Sequence, residues 1–375
     1  MRRYDIDVIL LCIVCHRCQA ESYERKVSVL MDNRHVVVTS PGQVELVGGP
    51  TPSPTSGEVL VRMSAVGICG SDVHASHGRH PFVPLPYHPG HEVVGTVEAV
   101  GADVDIPLGQ RVVVEPIMAC GHCKYCLDGR YNLCSTMVFF GCTAPTGGLA
   151  DRFVIPADRL VPVPEDLDDQ QAALIEPLST PVHAARLAGP DLSGKSVAIL
   201  GSGTIGLLTL AAARRHGAAR IAMTDTLESK RDLALKLGAD AVFDSAAPDV
   251  VEAVRAFLGT SADIVFDCVA VQATINQAIG MAVKGGTVVV VGVPAAPVTV
   301  PLPEIQDLQV RIQGSATYTR DDYAESIAML REGLVRPADF ITAEFPISQA
   351  AQAFSEASSG RHVKVLVRGE ALDAI

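Results

Sequence analysis

The sequence of 375 residues contains no tryptophan, only 5% aromatic residues and no surplus of positive charge. Its 30 lysines and arginines are scattered, and 42 acidic residues leave a formal net charge of −12. Proteins that bind a nucleic-acid backbone need clustered basic side chains, so this composition argues against a nucleic-acid partner. Low-complexity tracts and repeats of fixed period are also missing, which predicts an ordinary globular protein. At this length we expect two domains.

Long hydrophobic runs are scarce as well. The apolar segment 8–15, behind two arginines, resembles a secretory signal only loosely and is far too short to span a bilayer. We therefore expect no membrane association. The sequence MDNRHVVV, which begins at Met31, has the pattern of a normal first strand. We accordingly expect residues 1–30 to be a non-native or disordered extension.

Cysteine has the most informative distribution. Four of the ten cysteines fall in one segment rich in glycine and polar residues, ACGHCKYCLDGRYNLC. The spacing C-x2-C-x2-C-x7-C belongs to Cys120, Cys123, Cys126 and Cys134. Four thiolates close a tetrahedral zinc shell and leave no position for a substrate, so this pattern predicts a structural zinc.

Other interpretations of the cysteines carry less weight. Free or disulfide-bonded thiols in this segment would require an accidental cluster or an oxidising compartment, and we expect a reducing, cytoplasmic one. Cys12, Cys15 and Cys18 also show two-residue gaps. No fourth ligand stands near them, so chance spacing explains them better than a metal. His122 is expected only to occupy the loop.

The pattern of hydrophobic residues changes along the chain. Between Val36 and Val113 short segments such as EVLVRMSAV are broken by glycine and proline, which predicts a β-rich, barrel-like unit. From Ser196 onward, buried strands alternate with amphipathic helices: SVAILG, ARIAMTD, AVFDS, ADIVFDCV and GTVVVVGV, with VRIQGS as a sixth strand. This alternation is typical of a parallel sheet covered by helices on both faces. The predicted fold class is α/β, a doubly wound sheet beside a β-rich unit.

These patterns divide the folded chain into three parts. Residues 31–182 are expected to form the β-rich unit, and residues 183–316 the doubly wound unit. Residues 317–375 contain a helix, YAESIAMLREG, and a final strand, VKVLVRG. We expect this last part to return to the first unit and complete it.

The turn after the strand SVAILG has the sequence GSGTIG and leads directly into a helix. In a dinucleotide-binding turn the first glycine permits the tight bend, the second lets the backbone approach the pyrophosphate, and the third lets helix and strand pack closely. The helix N-terminus then faces the phosphates. The predicted coenzyme-binding residues of this turn are Gly201, Gly203, Thr204, Ile205 and Gly206. A glycine-rich turn in some other α/β fold is the alternative.

The residue that follows the second strand bears on the choice of coenzyme. Asp225 ends that strand, where a carboxylate accepts hydrogen bonds from ribose hydroxyls and repels a 2′-phosphate. The sequence therefore predicts NAD. Lys230 and Arg231 stand nearby and leave NADP as the alternative.

A second group of metal-ligating side chains is dispersed along the chain. Cys69 stands in GICGSDVH, His91 and Glu92 in GHE, and Glu176 in IEPLS. Each alone is unremarkable as a core or turn residue. Together they offer the mixed sulfur, nitrogen and oxygen donors of a catalytic zinc, which keeps one position open. Glu92 is either a ligand or a group that supports the ligands.

These motifs resemble those of the zinc-containing medium-chain alcohol and polyol dehydrogenases, over about residues 36–367. The resemblance is carried by GICGSDVH, PGHEVVGTV, the four-cysteine loop, IEPLS, and GSGTIG with Asp225. Glu176 stands where ethanol-type enzymes carry a cysteine, which points to the sorbitol, butanediol and threonine dehydrogenase branches. RVVVEPIMACGHC and GSATYTRDDY are most similar to 2,3-butanediol dehydrogenases. Thr317 stands before Tyr318 where sorbitol dehydrogenases usually have an arginine.

The resemblance implies a Rossmann coenzyme domain, a GroES-like catalytic domain and two zinc ions per chain, with Cys69, His91 and Glu176 on the catalytic ion. It implies oxidation of a secondary alcohol, a vicinal diol or polyol, by NAD. It also implies a homo-oligomer, a dimer or tetramer joined through VVVVGV and PVTVPL. Ser71 would accept the alcohol proton and pass it through the nicotinamide ribose to His74, whose ordinary pKa near 6.5 suits release to solvent.

Several alternatives remain open on the sequence alone. Sorbitol, L-iditol or L-threonine chemistry is the alternative within the family. A zinc-free quinone or enoyl reductase would not need the dispersed ligands, so metal content separates it. A non-catalytic nucleotide-binding protein would keep only the fold, and Ser71 and His74 would then be a turn residue and a surface residue. We expect the pocket to be shaped by Phe139, Phe140 and Thr317.

Overall fold

The computed structural model describes residues 32–370. The expected extension 1–30 and the spacing of Cys12, Cys15 and Cys18 therefore lie outside the described residues. None of the helices within 32–370 has the length and apolar character that a membrane crossing requires.

The described strands and helices follow one another in the order expected from the pattern of hydrophobic residues. The strands are β1 (Asn33–Ser40), β2 (Gln43–Gly49), β3 (Glu58–Ile68), β4 (Glu92–Val100), β5 (Arg111–Val114), β6 (Ile117–Met118), β7 (Val138–Phe139), β8 (Arg152–Pro156), β9 (Leu160–Pro162), β10 (Ser196–Leu200), β11 (Arg220–Asp225), β12 (Ala241–Asp244), β13 (Ala262–Asp267), β14 (Ala282–Val290), β15 (Arg311–Gly314), β16 (Ile341–Pro346) and β17 (Lys364–Arg368). The α-helices are α1 (Gly70–Ser76), α2 (Lys124–Leu127), α3 (Asp169–Ala172), α4 (Ile175–Ala188), α5 (Thr204–Arg215), α6 (Glu228–Lys236), α7 (Val250–Leu258), α8 (Gln272–Met281), α9 (Leu302–Asp307), α10 (Arg320–Arg331), α11 (Pro337–Phe340) and α12 (Ala350–Ser358). Short 3-10 helices cover Tyr131–Leu133, Ala157–Arg159 and Ile347–Gln349.

A seven-stranded sheet in the order β16-β17-β3-β4-β5-β9, with β8 paired to β3, forms the predicted β-rich unit. Strand β3 is its hub, because it pairs antiparallel with β4, β8 and β17. Its side chains Val59, Val61 and Met63 lie in a core with Phe153 of β8 and Val367 of β17. The chain therefore returns from its C-terminal part to close the sheet that its N-terminal part began.

The second sheet has six parallel strands in the order β12-β11-β10-β13-β14-β15, and confirms the predicted doubly wound arrangement. Alternate residues of β10 enter different cores: Val197 and Ile199 pack with α4 and α5, whereas Ala198 and Leu200 pack with α7 and α8. Both faces are covered, which explains the near-continuous apolar strands. The strand order reverses between β10 and β13, and in such folds the ligand crevice lies at that switch point.

Two features differ from the sequence expectation. Helix α4 runs without interruption through residue 182, where we placed the end of the first unit, so the two units share this helix. The segment PVTVPL is no strand: residues 297–301 are irregular and α9 begins at Leu302. Its two prolines remove backbone donors that a strand ladder needs.

The geometry of the glycine-rich turn fits the role predicted for each glycine. Gly201 has a φ of +95°, a left-handed conformation that favours glycine. A Cβ added to Gly203 would have no atom of the described residues within 4 Å. A Cβ on Gly206 would lie 1.8 Å from the carbonyl oxygen of Gly201. Strand β10 and helix α5 therefore approach as closely as the backbone allows.

We expect Gly206→Ala to force β10 and α5 apart and to lower stability by about 1–3 kcal/mol, the usual cost of overpacking. The midpoint of thermal unfolding should fall without coenzyme present. Gly203→Ala is the matched control, because its added methyl group meets only open space and should weaken coenzyme binding without lowering that midpoint. Equal midpoints for the two variants would contradict this account.

Candidate active site and metal centres

The first donor of the dispersed group lies where β3 meets a short helix. Strand β3 ends at Ile68, and Cys69 precedes the helix α1. The Asp72 carboxylate accepts a hydrogen bond from the Cys69 backbone N–H at 3.1 Å, which fixes the start of the helix. The sequence GICGSDVH thus places Cys69 at the edge of the barrel, with Ser71 and His74 on the next turns.

The second and third donors lie at the start of β4, beside the end of β3. Glu92 is the first residue of β4 and is paired with Gly67. A Cβ on Gly67 would lie 1.8 Å from a carboxylate oxygen of Glu92, so the glycine makes room for that side chain. The ligand atoms of Cys69, His91 and Glu92 all lie within 4.8 Å of one another. His91 and Glu92 are 3% and 1% exposed.

The imidazole of His91 is supported from behind by Asp72 and Cys142. Its Nδ1 lies 3.7 Å from Asp72 Oδ1 and 3.7 Å from the Cys142 sulfur. Burial disfavours the charged imidazolium, but Asp72, Cys142 and Cys69 outweigh it and hold the pKa of His91 well above its usual value. Asp72 Oδ1 is buried and has no hydrogen-bond partner among residues 32–370. A buried group so rich in negative charge fits a divalent cation, and its donor types suit zinc.

Sequence reasoning missed a buried lysine beside this cluster. The Lys364 Nζ lies 2.6 and 2.7 Å from the two oxygens of Glu92, and it donates to the Ile68 carbonyl at 3.2 Å. Lys364 is 3% exposed, and the charge of Glu92 raises its pKa although burial alone would lower it. A lysine inside the apolar strand VKVLV was the available signal, because lysine is almost never buried without a partner.

Glu176 does not belong to the group of mutually close ligand atoms, although it lies near it. It is the second residue of α4 and is 7% exposed. The buried Tyr318 hydroxyl donates to its Oε1. Burial raises the pKa of Glu176 to about 7, while His91 opposes the shift. The geometry therefore groups Glu92, rather than Glu176, with Cys69 and His91.

The residues of the expected proton path are close in sequence, but no hydrogen bond joins them. Ser71 is half-buried and His74 is largely exposed on α1. Partial desolvation, followed by the charges of Arg79 and His77, lowers the pKa of His74 below 6.5. His74 is therefore neutral near neutral pH and able to take a proton. The relay from Ser71 to His74 stays a prediction.

The three residues expected to shape the pocket occupy different surroundings. The Phe139 ring meets His91 edge-on, with centroids 5.7 Å apart. Phe140 is instead fully buried in the barrel core against Phe153, so the expectation that it lines the pocket is wrong. Phe139 ends β7, whereas Phe140 lies in the turn that follows and places its ring in the barrel core. Thr317 lies beside Tyr318 with a φ of +51°.

The four-cysteine loop brings its sulfur atoms together. The sulfur of Cys126 lies 3.5 Å from that of Cys123 and 3.9 Å from that of Cys120, and the backbone N–H of Cys120 donates to the Cys134 sulfur at 3.3 Å. None of these described cysteines is in a disulfide. Zn–S bonds of about 2.3 Å hold tetrahedral sulfurs about 3.8 Å apart, so the cluster fits zinc. His122 faces the Cys120 carbonyl instead, as expected.

Backbone N–H groups favour the thiolate form in this loop. Hydrogen bonds led by the N–H of His122 lower the pKa of Cys120 to about 7, and those led by Ser135 lower the pKa of Cys123 to about 5. Burial and the neighbouring thiols raise the pKa of Cys126 to about 12. A metal ligand must be deprotonated, so a bound cation supplies the charge that Cys126 requires.

Hydrogen bonds from backbone N–H groups fix the Asp225 carboxylate at the expected coenzyme crevice. The two carboxylate oxygens accept the N–H of Ser202 at 2.8 Å and of Leu227 at 3.0 Å. Arg231 donates to the carbonyl oxygens of Asp225 and Thr226, both at 2.9 Å. Its guanidinium is thus already engaged by the backbone. The Thr204 hydroxyl donates to the carbonyl of Val363, which links the turn to the strand that carries Lys364.

A parallel coenzyme sheet with a phosphate-binding turn, a mixed-donor cluster at the edge of a barrel and a four-cysteine loop together define a zinc-type medium-chain dehydrogenase. Residues 55–165 match the alcohol dehydrogenase GroES-like domain, and residues 204–332 match the zinc-binding dehydrogenase family. A sorbitol dehydrogenase from Bos taurus is 36% identical over 345 residues, which cover 90% of this chain and 96% of that protein. The chain belongs to the zinc-binding alcohol and polyol dehydrogenases.

Solved structures agree with this assignment. One is described as a zinc-binding dehydrogenase from Sinorhizobium meliloti 1021 bound to NADP, with a TM-score of 0.83, 33% identity, and coverage of 90% of this chain and 99% of that one. The 2R,3R-butanediol dehydrogenase from Bacillus subtilis has a TM-score of 0.83 and 27% identity, covering 90% and 100%.

The comparisons confirm the predicted family, fold class and enzyme class. The chain is a zinc-dependent oxidoreductase that acts on the CH–OH group of an alcohol or polyol, with a GroES-like domain and a Rossmann-type coenzyme domain. Zinc and a nicotinamide coenzyme are its cofactors, and NAD is consistent with the fold.

We expect Cys123→Ser to remove one zinc per chain and to lower the unfolding midpoint, because a loop without a core of its own loses its tetrahedral ligand set. Elemental analysis should change from two zinc per chain to one. His122→Ala in the same loop should keep both ions. Two zinc retained in Cys123→Ser would show that the four cysteines do not form the site.

Proposed function

We propose that the protein oxidises a secondary hydroxyl of a vicinal diol or short polyol with NAD as hydride acceptor, using a zinc ion held by Cys69, His91 and Glu92. The observation that carries this proposal is the buried cluster of sulfur, imidazole and carboxylate donors within 4.8 Å of one another. It lies at the end of β3, where α4 and the segment after β15 also arrive. The four-cysteine loop holds the second, structural ion.

Side chains around the cluster hold the two carboxylates, Glu92 and Glu176, in place. When bound, zinc acts as a Lewis acid that lowers the pKa of a hydroxyl group, from roughly 15.7 to about 7 for water. Lys364 neutralises Glu92 and ties it to β3. The Tyr318 hydroxyl donates a hydrogen bond to one oxygen of Glu176, which fixes the orientation of this carboxylate beside the cluster. Glu176 then binds a hydroxyl of the substrate rather than the metal.

Removal of the hydroxyl proton is assigned to α1. Ser71 stands two residues after Cys69 and takes the proton from the substrate hydroxyl. His74 receives it and releases it to solvent, since this ring is largely exposed and its lowered pKa keeps it neutral. Hydride transfer to the coenzyme then leaves a ketone as the product.

The carboxylate of Asp225 supports NAD over NADP. Its two oxygens are fixed by backbone N–H groups at the end of β11, where they would meet the ribose hydroxyls and repel a 2′-phosphate. Arg231, a candidate for binding that phosphate, donates from its Nη1 to the backbone carbonyls of Asp225 and Thr226, which holds one end of its guanidinium against the protein. The NADP-bound relative shows that the fold also accepts the other coenzyme.

Two substrate classes have support. Thr317 places a small neutral side chain next to Tyr318 and favours a vicinal diol, and the butanediol dehydrogenase structure resembles this one. Sorbitol is the second candidate, because sorbitol dehydrogenases reach 36% identity over nearly the whole chain.

The division of the chain into parts 31–182, 183–316 and 317–375 stays our proposal, with helix α4 extending across the first boundary. We further propose that the protein forms a homo-oligomer in the cytoplasm. Residues 288–290 of the apolar VVVVGV segment lie inside the sheet, because β14 is paired with β13 and β15, whereas residues 291–293 follow the strand and include the exposed Val293. Among the described strands β15 is paired on one side only, and its Ile312 is exposed, which favours pairing of this edge with a second copy. The free thiols of the described cysteines suit a reducing compartment.

The test of the proposed function is zinc content together with initial rates on 2,3-butanediol, sorbitol and threonine, each with NAD and NADP. We expect two zinc per chain, turnover of the diol or the polyol, and a higher kcat/KM with NAD. Glu92→Gln should lose the catalytic ion and keep the structural one, because a neutral amide is a poor zinc ligand. Full turnover in metal-free protein, or turnover of none of the alcohols, would reject the proposal.

His74→Ala should lower kcat/KM for the alcohol by roughly 10²-fold near neutral pH, the typical share of a positioned proton carrier. In the native enzyme kcat/KM falls as pH drops through the pKa of His74, below 6.5, because the ring is then already protonated. That acidic limb should disappear in the variant. His77→Gln, at the exposed end of the same helix, should keep the limb. A pH–rate profile unchanged by His74→Ala would remove His74 from the relay.

A further inference from the structure

The four-cysteine loop reaches beyond its own sulfur cluster through Asn132. This residue lies in the 3-10 helix Tyr131–Leu133 and is 5% exposed. Its side-chain Nδ2 donates to the Ala316 carbonyl at 3.0 Å, and its backbone carbonyl accepts the Thr317 hydroxyl at 3.4 Å. The loop and the segment 316–318 are distant in sequence, so these contacts tie two separate parts of the chain together.

The neighbouring Tyr131 holds the other end of the same segment. Its hydroxyl accepts the backbone N–H of Arg320 at 2.6 Å and donates to the buried Glu115. The Arg320 guanidinium binds the second oxygen of Glu115 at 2.6 and 2.9 Å. Tyr131 and Asn132 therefore clamp the chain on both sides of Tyr318.

The clamped segment has a backbone conformation that needs support. Thr317 has a φ of +51°, a left-handed conformation that a β-branched residue rarely adopts. Such a conformation persists only where the surroundings over-determine it. The next residue is Tyr318, which is 1% exposed and donates its hydroxyl to Glu176. The strained turn is thus what directs the Tyr318 side chain at the buried carboxylate.

We infer that Asn132 is a positioning residue for the active site: it holds the Ala316–Thr317 turn so that Tyr318 fixes the carboxylate of Glu176. The four-cysteine loop then serves catalysis as a rigid support for the substrate side of the site. This inference rests on the proposed role of Glu176. A purely structural role for Asn132 would instead change stability and leave Tyr318 in place.

The first measurement avoids activity altogether. The protein has seven tyrosines, so 3-fluorotyrosine labelling gives few ¹⁹F resonances, and Tyr318→Phe identifies the one from Tyr318. We expect Asn132→Leu, which has a similar volume and no donor, to shift or broaden that resonance. His122→Ala, exposed on the same loop, should leave it unchanged. An unchanged Tyr318 resonance in Asn132→Leu would overturn the inference. If the leucine variant fails to fold, Asn132→Ala takes its place.

The second measurement is a double-mutant cycle on kcat/KM for the alcohol. Asn132→Leu should lower this value by roughly 10- to 100-fold, as expected for a misplaced reacting group, while the Kd for NADH stays within about twofold. In a Tyr318→Phe background the same change should cost little, because both variants remove one connection. If the double variant loses kcat/KM by the product of the two single-variant factors, the positioning role is refuted. Glu176→Gln with native activity would reject the role proposed for Glu176, and the ¹⁹F result would still decide the contact.

Discussion

The antiparallel pairing of β3 with β4 and with β17 is the constraint on which the active site depends. Register alone sets Glu92 opposite Gly67 and Val365 opposite Ile68. Cys69, His91 and Lys364 each lie at the end of one of these strands, so three distant sequence segments meet at one edge of the barrel. Side chains alternate between the two faces of a strand, and a slip of one residue would turn Glu92 away from Cys69. The metal-binding cluster is thus a property of the sheet rather than of any one loop.

Burial of charge is the second requirement. Glu92, Lys364, Asp72 and Glu176 are all buried close to His91. Isolated ions in such surroundings would be strongly unfavourable, and they persist here because each has an opposite charge or a hydrogen-bond donor beside it. The cluster nevertheless retains a surplus of negative groups and one unpartnered oxygen on Asp72. A divalent cation completes this balance, which joins the stability of the barrel edge to its chemistry.

The features predictable from sequence were those whose signal is local. The glycine turn, the strand–helix alternation and the cysteine loop each depend on residues within one short segment, and the structure has all three where expected. The resemblance favoured Glu176 as the third ligand, whereas the structure groups Glu92 with Cys69 and His91, because these distances depend on strand register and on the direction of α4. Tyr318, Lys364 and Asn132 were missed since their partners are more than a hundred residues away. Phe140 was misassigned because it lies just past the end of β7, in a turn that buries its ring in the barrel core.

Helix α4 has a consequence for the construction of hybrid enzymes. Its second residue is Glu176, its apolar side packs against the coenzyme helix α5, and it ends at Ala188, with Gly189 as the cap. A chimaera that exchanged the coenzyme module at residue 182 would cut through this helix and disconnect Glu176 from the surface that orients it. A junction after Gly189 leaves the helix whole, but the incoming module must then present a matching apolar surface to it. The shared helix therefore limits which modules can be recombined with this catalytic half.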